Sequence, residues 1–162
     1  MNDTVEGAEL SPISEREPLF DAKDKLRRFV VGHENLPVRF NATQKVSEGV
    51  ECETYKFTGD DTKDLAIVRV QEGHKTPLQR VLKGTKTIEG FLSGGGVLTV
   101  TSVDGRVARY EFNPGDKSTL ETEVAVEIGQ IMQWEAGEEG LSFYEICEPP
   151  YEDGRFKNLP EN

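Results

Sequence analysis

Side chains that commonly do chemistry are sparse and oddly distributed in this chain. It has two histidines, His33 and His74, and two cysteines, Cys52 and Cys147, but no Cys-x-x-Cys pair and no Cys/His cluster. A three-histidine metal site is therefore arithmetically excluded. Nothing basic flanks either cysteine to lower its pKa, so both read as small core residues rather than nucleophiles. The more suggestive group lies in two short apolar runs. If Thr87 points inward in an extended strand, so do Glu89 and Phe91, and Met132 takes Trp134 with it. If Gln79 and Val81 point in, Arg80 points out. Gln79, Thr87, Glu89, Phe91, Met132 and Trp134 would then line one pocket, part polar and part aromatic, as small-molecule sites often are. Glu89 in such a place would have a raised pKa and suit general acid or base work near neutral pH. A parity slip of one residue would make it a solvated strand charge instead. His74, beside Lys75, would serve as a proton-transfer group at the pocket mouth or sit as a plain rim residue. The candidate catalytic residues are thus Glu89 and His74, and the candidate ligand-binding residues are Gln79, Thr87, Phe91, Met132 and Trp134. Gly94-Gly95-Gly96 lacks the Gly-Lys-Ser/Thr and following helix of a phosphate loop, and a hairpin turn is expected there.

The elements that would position these groups are mostly short strands. Residues 38–40, 55–57, 65–70, 97–103, 108–112, 124–128 and 141–146 are rich in β-branched and aromatic residues. Turn signals separate them: Thr58-Gly59-Asp60-Asp61, Asp104-Gly105 and Asn113-Pro114-Gly115-Asp116. Asp104-Gly105 between two alternating runs marks a hairpin, because its turn needs positive φ. Strands recurring about every ten residues imply an all-β sandwich or barrel. Before them, residues 1–18 read as an extended arm, and Leu19, Ala22, Leu26 and Phe29 recur at the spacing of a short helix. The tail from Pro149 is expected to leave the sheet and wrap over the surface.

Composition narrows the function classes. The 162 residues suit one domain, and 13 aromatics with 35% hydrophobic residues are enough for a core. Net charge is −11, of which −9 falls in residues 121–162. That balance excludes the basic footprint of nucleic-acid and anionic-membrane binders. No apolar run nears the ~20 residues of a membrane span. The first residues lack a basic, apolar leader, so a reduced, cytoplasmic setting is expected.

Residues 66–148 resemble the cupins, a family of small β-barrels. The resemblance runs through Gly73, Thr76-Pro77-Leu78, Gln79-Arg80-Val81, Thr87 and Gly94 for a first motif. For the second it runs through Pro114-Gly115-Asp116, Gly129-Gln130-Ile131-Met132 and the ending from Ala136 to Phe143. It implies a double-stranded β-helix, or jelly-roll barrel, over residues 36–150, with an arm and short helix in 1–35 and a tail in 151–162. It also implies metal-ligand positions at Gln79, Val81, Thr87 and Met132. An amide, an alkyl group, a hydroxyl and a thioether there imply a divergent member without metal or other cofactor. Glu89 is an alternative for the carboxylate position, but without imidazole partners. The expected function is binding of a small polar metabolite, a carbohydrate or an organic acid, in the barrel. A metal-independent isomerase or epimerase acting on a sugar derivative is one alternative, although Gln79 stands where such enzymes resemble each other in a histidine. A structural module with a filled barrel is the other. Cupins commonly pair through edge strands, so a homodimer is expected.

Overall fold

Long strands that bend, rather than many short ones, organise the molecule. The computed structural model describes residues 26–31, 34–116 and 122–161. Their strands are β1 (Leu26–Val31), β2 (Glu34–Ser47), β3 (Val50–Phe57), β4 (Asp64–Val70), β5 (Gln79–Val81), β6 (Lys86–Thr101), β7 (Val107–Phe112), β8 (Glu123–Ala125), β9 (Ile131–Glu148) and β10 (Phe156–Asn158). No helix occurs among the described residues. All pairings are antiparallel, in the order β1-β2-β3-β4-β9-β5-β10, with β6 also joined to β7, β8 and β9. β9 and β6 run side by side from Lys86↔Glu148 to Thr101↔Ile131 and form the spine.

Glycine makes that spine curl. The register slips between Phe91 and Ser93 and again between Gly94 and Gly96. Gly94 has φ +79°, and a Cβ there would run into the Gly140 carbonyl, as one on Gly96 would run into that of Glu135. The triple glycine is therefore a bulge inside one strand and not the hairpin turn expected from sequence. A bulge bends its strand and increases local twist, which lets a 16-residue strand serve both walls of a barrel.

Alternation then sorts side chains onto two faces. Val68, Val70, Leu141 and Phe143 join Phe91, Leu98, Phe112, Val124, Met132 and Trp134 in the larger core cluster. Leu65, Ile67, Tyr144 and Ile146 turn the other way and pack with Val38, Tyr55 and Phe57. The nearly unbroken apolar run of residues 65–70 reflects burial on both faces of β4.

Three sequence expectations change at the edges. The helical spacing of Leu26 and Phe29 gives way to β1, whose residues pair with Glu34–Arg39 of β2. Satisfying the backbone along a neighbouring strand outweighs a weak period, and Phe29-Val30-Val31 favours extended chain. Leu19, Ala22 and the arm lie outside the described residues. The sheet thus begins at Leu26 rather than 36. The tail, expected to lie on the surface, returns as β10 and pairs with β5 from Phe156↔Val81 to Asn158↔Gln79. The Asp104-Gly105 hairpin forms as expected, with Gly105 at φ +90° and β6 joined to β7.

Candidate ligand cavity in the barrel

Four strands laid side by side bring single residues into rows across the inner wall. Register places Thr54 opposite Ala66, Ala66 opposite Glu145, and Glu145 opposite Glu89. One step along the same strands the row is Cys52, Val68, Phe143 and Phe91. One step the other way, Asp64 faces Cys147, which faces Thr87. Members of all three rows border a cavity of about 360 Å³. Thr54, Asp64, Glu145, Cys147 and Cys52 form its strand wall, Thr76, Pro77 and Gln79 another side, and Tyr151 and Phe156 of the carboxyl-terminal segment a third. Lys45, exposed at the rim, is the one cationic residue among the described residues lining it.

The carboxyl-terminal segment is held firmly. Gln79 donates through Nε2 to Asn158 Oδ1 at 3.0 Å, and the Leu159 N–H donates to the Leu78 carbonyl at 2.8 Å. The Tyr151 N–H donates to Asp64 Oδ2 at 2.9 Å. Arg155 is 1% exposed and donates to the Pro149 carbonyl at 2.9 Å, to the Lys86 carbonyl, and through Nη2 to Thr87 Oγ1 at 2.8 Å. Gly84, at φ +114°, leaves room for its guanidinium, which a Cβ there would strike.

Electrostatics single out Glu89. It is 1% exposed; Oε1 accepts from the Trp134 indole N–H at 2.8 Å, and the buried Oε2 meets no donor. Burial pushes its pKa well above the ordinary carboxylate range, and the charge of Glu145 and a hydrogen bond to it push the same way; the indole N–H opposes them. Burial also raises Asp64, with the Tyr151 N–H opposing it and Glu145 adding to the rise. Cys52 is pushed up to about 12, mainly by burial and then by the Glu145 charge. The same two causes raise Cys147, whose Sγ donates to Glu145 Oε1 at 3.7 Å. Both thiols are thereby kept protonated.

The seven residues singled out from sequence separate in space. Glu89, Thr87, Phe91, Met132 and Trp134 are all buried, as inward parity requires. Gln79 lines the cavity, Glu89 stands opposite its Glu145 wall, and Thr87 is bound to Arg155. Phe91, Met132 and Trp134 instead belong to the apolar cluster behind it. Their rings stack in series: Phe91 on Phe112 at 4.7 Å, Phe112 near Trp134 at 5.5 Å, and Trp134 on Phe143 at 4.5 Å between centroids. His74 is elsewhere, with its ring against Gly49 and Nδ1 at 3.0 Å from the Glu72 carbonyl. Sequence reading missed Glu145, Asp64, Thr54, Tyr151 and Phe156. Glu145 had a signal, since it shares parity with Phe143; the last two had none, because a return of the tail is not written in local periodicity.

Cupins resemble one another in holding a metal in this interior, so the donor set matters. Among the described residues no three His, Cys, Asp or Glu side chains come together to hold a metal ion. Of the four positions that the resemblance assigns to ligands, Val81 offers no donor and Thr87 already accepts from a permanent cation. The residues present do not fit such a metal.

Neither family models nor curated proteins match this chain. Solved structures do. The oxalate decarboxylase of Bacillus subtilis, an enzyme with Mn(II) centres, is 24% identical with a TM-score of 0.56, over 70% of this chain and 29% of that one. A single-residue variant of the same enzyme gives 23% identity and a TM-score of 0.58, over 74% and 30%. The formate complex of Lactobacillus farciminis oxalate decarboxylase gives 19% and 0.56, over 75% and 33%. The chain thus spans about a third of the length of those proteins. At these identities the likeness speaks for architecture alone, and together with the antiparallel curled sheet it shows that this chain has the cupin fold, an all-β jelly-roll barrel.

Proposed function

We propose that this chain binds a small, neutral, polar metabolite of the carbohydrate or polyol class in the barrel cavity, without a metal. The observation that carries this reading is the lining: a 360 Å³ space walled by Glu145, Asp64, Thr54, Gln79 and Tyr151, with Lys45 at its rim as the only cationic lining residue among those described. Carboxylate, hydroxyl and amide groups suit hydroxyls, which both donate and accept. An organic acid would instead bring another negative charge to Glu145 and Asp64. Tyr151 and Phe156, with ring centroids 5.9 Å apart, add apolar surface for the carbon faces of such a ligand.

A thermal-shift screen of neutral sugars, polyols and organic acids tests this reading. A sugar present at about a hundred times its Kd should stabilise the fold by about 2.7 kcal/mol. In a domain of this size that raises Tm by roughly 5–10 °C. Stabilisation by organic acids alone, or near-stoichiometric Fe, Mn, Ni or Zn in chelator-free protein, would overturn it. Conversion of the ligand rather than simple binding, as in a metal-independent isomerase, is the second reading, and the Glu89–Glu145 juxtaposition is what favours it. Among the described residues β1 pairs only with β2 and β7 only with β6, which leaves edges for a homodimer; light scattering decides that point.

A further inference from the structure

We propose that Glu89 and Glu145 hold one proton between them and together form the hydroxyl-recognising floor of the cavity. The choice of a hydroxyl ligand rests on the reading above, whereas the pairing rests on the sheet register alone.

The two carboxyls stand directly opposite each other on β6 and β9, where facing Cβ atoms are about 4.5–5.5 Å apart. Two full negative charges at that range, behind a wall of Phe91, Phe143 and Val124, are unfavourable. The pattern of partners points the same way. Glu89 Oε1 has the Trp134 N–H, but Oε2 is buried without a donor. A proton on Oε2, donated to Glu145, satisfies that oxygen and removes the repulsion at once. Among the described residues no cation does so. The groups facing the pair are Cys52 on β3, Asp64 on β4, Cys147 on β9, and Tyr151 and Arg155 from the carboxyl-terminal segment. The two thiols are protonated, Asp64 adds negative charge, and Arg155 is directed at Thr87 and two carbonyls.

The members then differ in role. Glu89 lies behind the wall, while Glu145 is half-buried and lines the cavity. A carboxylic acid beside a carboxylate offers one donor and several acceptors, which matches a neutral hydroxyl better than an anion.

Trp134 is the only tryptophan in the chain, and its indole N–H is bonded to Glu89, so its fluorescence reports the pair. The ligand-free, full-length protein would be titrated from about pH 4 to about pH 9 while Trp134 emission is followed. A midpoint clearly above the ordinary glutamate value of about 4.3 is expected. It should move down by about one unit or more in Glu145→Gln and vanish in Glu89→Gln. A midpoint in the ordinary range, or one unmoved by Glu145→Gln, overturns the pair. Should Glu145→Gln fail to fold, infrared spectra of the wild type decide: a protonated-carboxyl band at neutral pH that disappears on raising the pH supports the pair, and its absence overturns it. Repeating the titration with the neutral sugars of the thermal screen separates the two readings. Sugars that stabilise the protein while the pair titrates normally leave the cavity reading and sink this one. A shifted midpoint that no sugar moves removes the hydroxyl partner.

Discussion

Adjacent rows of the inner wall, Cys52–Val68–Phe143–Phe91 and Thr54–Ala66–Glu145–Glu89, come from the same four strands two residues apart, and the first three members of each line the cavity; the first row ends in a packed aromatic cluster and the second in two facing carboxyls. Backbone geometry is common to both. What differs is side-chain volume and charge: each strand exchanges an apolar or bulkier group for a small or polar one. Phe91 stacks on Phe112 and Phe143 on Trp134. Ala66 and Thr54 leave space, and two carboxyls keep it polar. A barrel thus acquires a polar site beside an apolar cluster without any change in fold.

Deepest damage should follow from emptying the aromatic end of the first row. Phe91→Ala removes a buried ring and is expected to cost about 3–5 kcal/mol, whereas Thr54→Ala, at the cavity wall, should cost well under 1 kcal/mol. Chemical denaturation of the two variants measures the contrast directly, and equal losses would mean that the cavity collapses in solution. Arg155→Met comes next. Its guanidinium ties the carboxyl-terminal wall to Thr87 and the Lys86 and Pro149 carbonyls, so its loss should cost about 3 kcal/mol and weaken sugar-dependent stabilisation.

The pH dependence of stability tests the charged row more gently. Glu89 binds its proton more tightly folded than unfolded, because burial and Glu145 penalise its charge. Between the unfolded glutamate value and the raised folded one the folded state therefore holds the extra proton, and stability falls as pH rises through that window. Each unit of elevation is worth about 1.4 kcal/mol at most, so Tm should decline from mildly acidic to alkaline pH, and Glu89→Gln should flatten the curve. The smallest effect belongs to Glu145→Gln. Removing the carboxylate that accepts Glu89's proton should lower stability at neutral pH by up to about 1 kcal/mol while removing the response to neutral sugars. A variant that gains stability instead would show that the two carboxyls repel each other rather than share a proton.

Much of the site was legible, though not its membership. Inward parity of Thr87, Glu89, Phe91, Met132 and Trp134 follows from alternation within single strands, and all are buried. Parity does not say which inward residues touch empty space. Phe91, Met132 and Trp134 pack on one another, and His74 turns to Gly49 and the Glu72 carbonyl, because those contacts depend on how distant strands meet. The cavity residues Glu145, Tyr151 and Phe156 meet Thr54, Asp64 and Gln79 across the cavity, separations of more than 65 residues that no local window spans. The helical period at Leu26 and Phe29 misled for a related reason: strand pairing with β2 was available and local propensity is weak beside it.

By itself the sequence determined the all-β class, the Asp104-Gly105 hairpin, the likeness to cupins and the poverty of metal donors, because these depend on residue type, turn chemistry and short-range alternation. Only the tertiary structure decided that Gly94-Gly95-Gly96 bends a strand instead of ending it, that the carboxyl-terminal segment closes a wall, and that Glu89 faces Glu145. Each of these is a matter of register between strands far apart in the chain, where one carbonyl, one guanidinium or one carboxyl must lie opposite a particular residue, and such coincidences are fixed by packing in three dimensions.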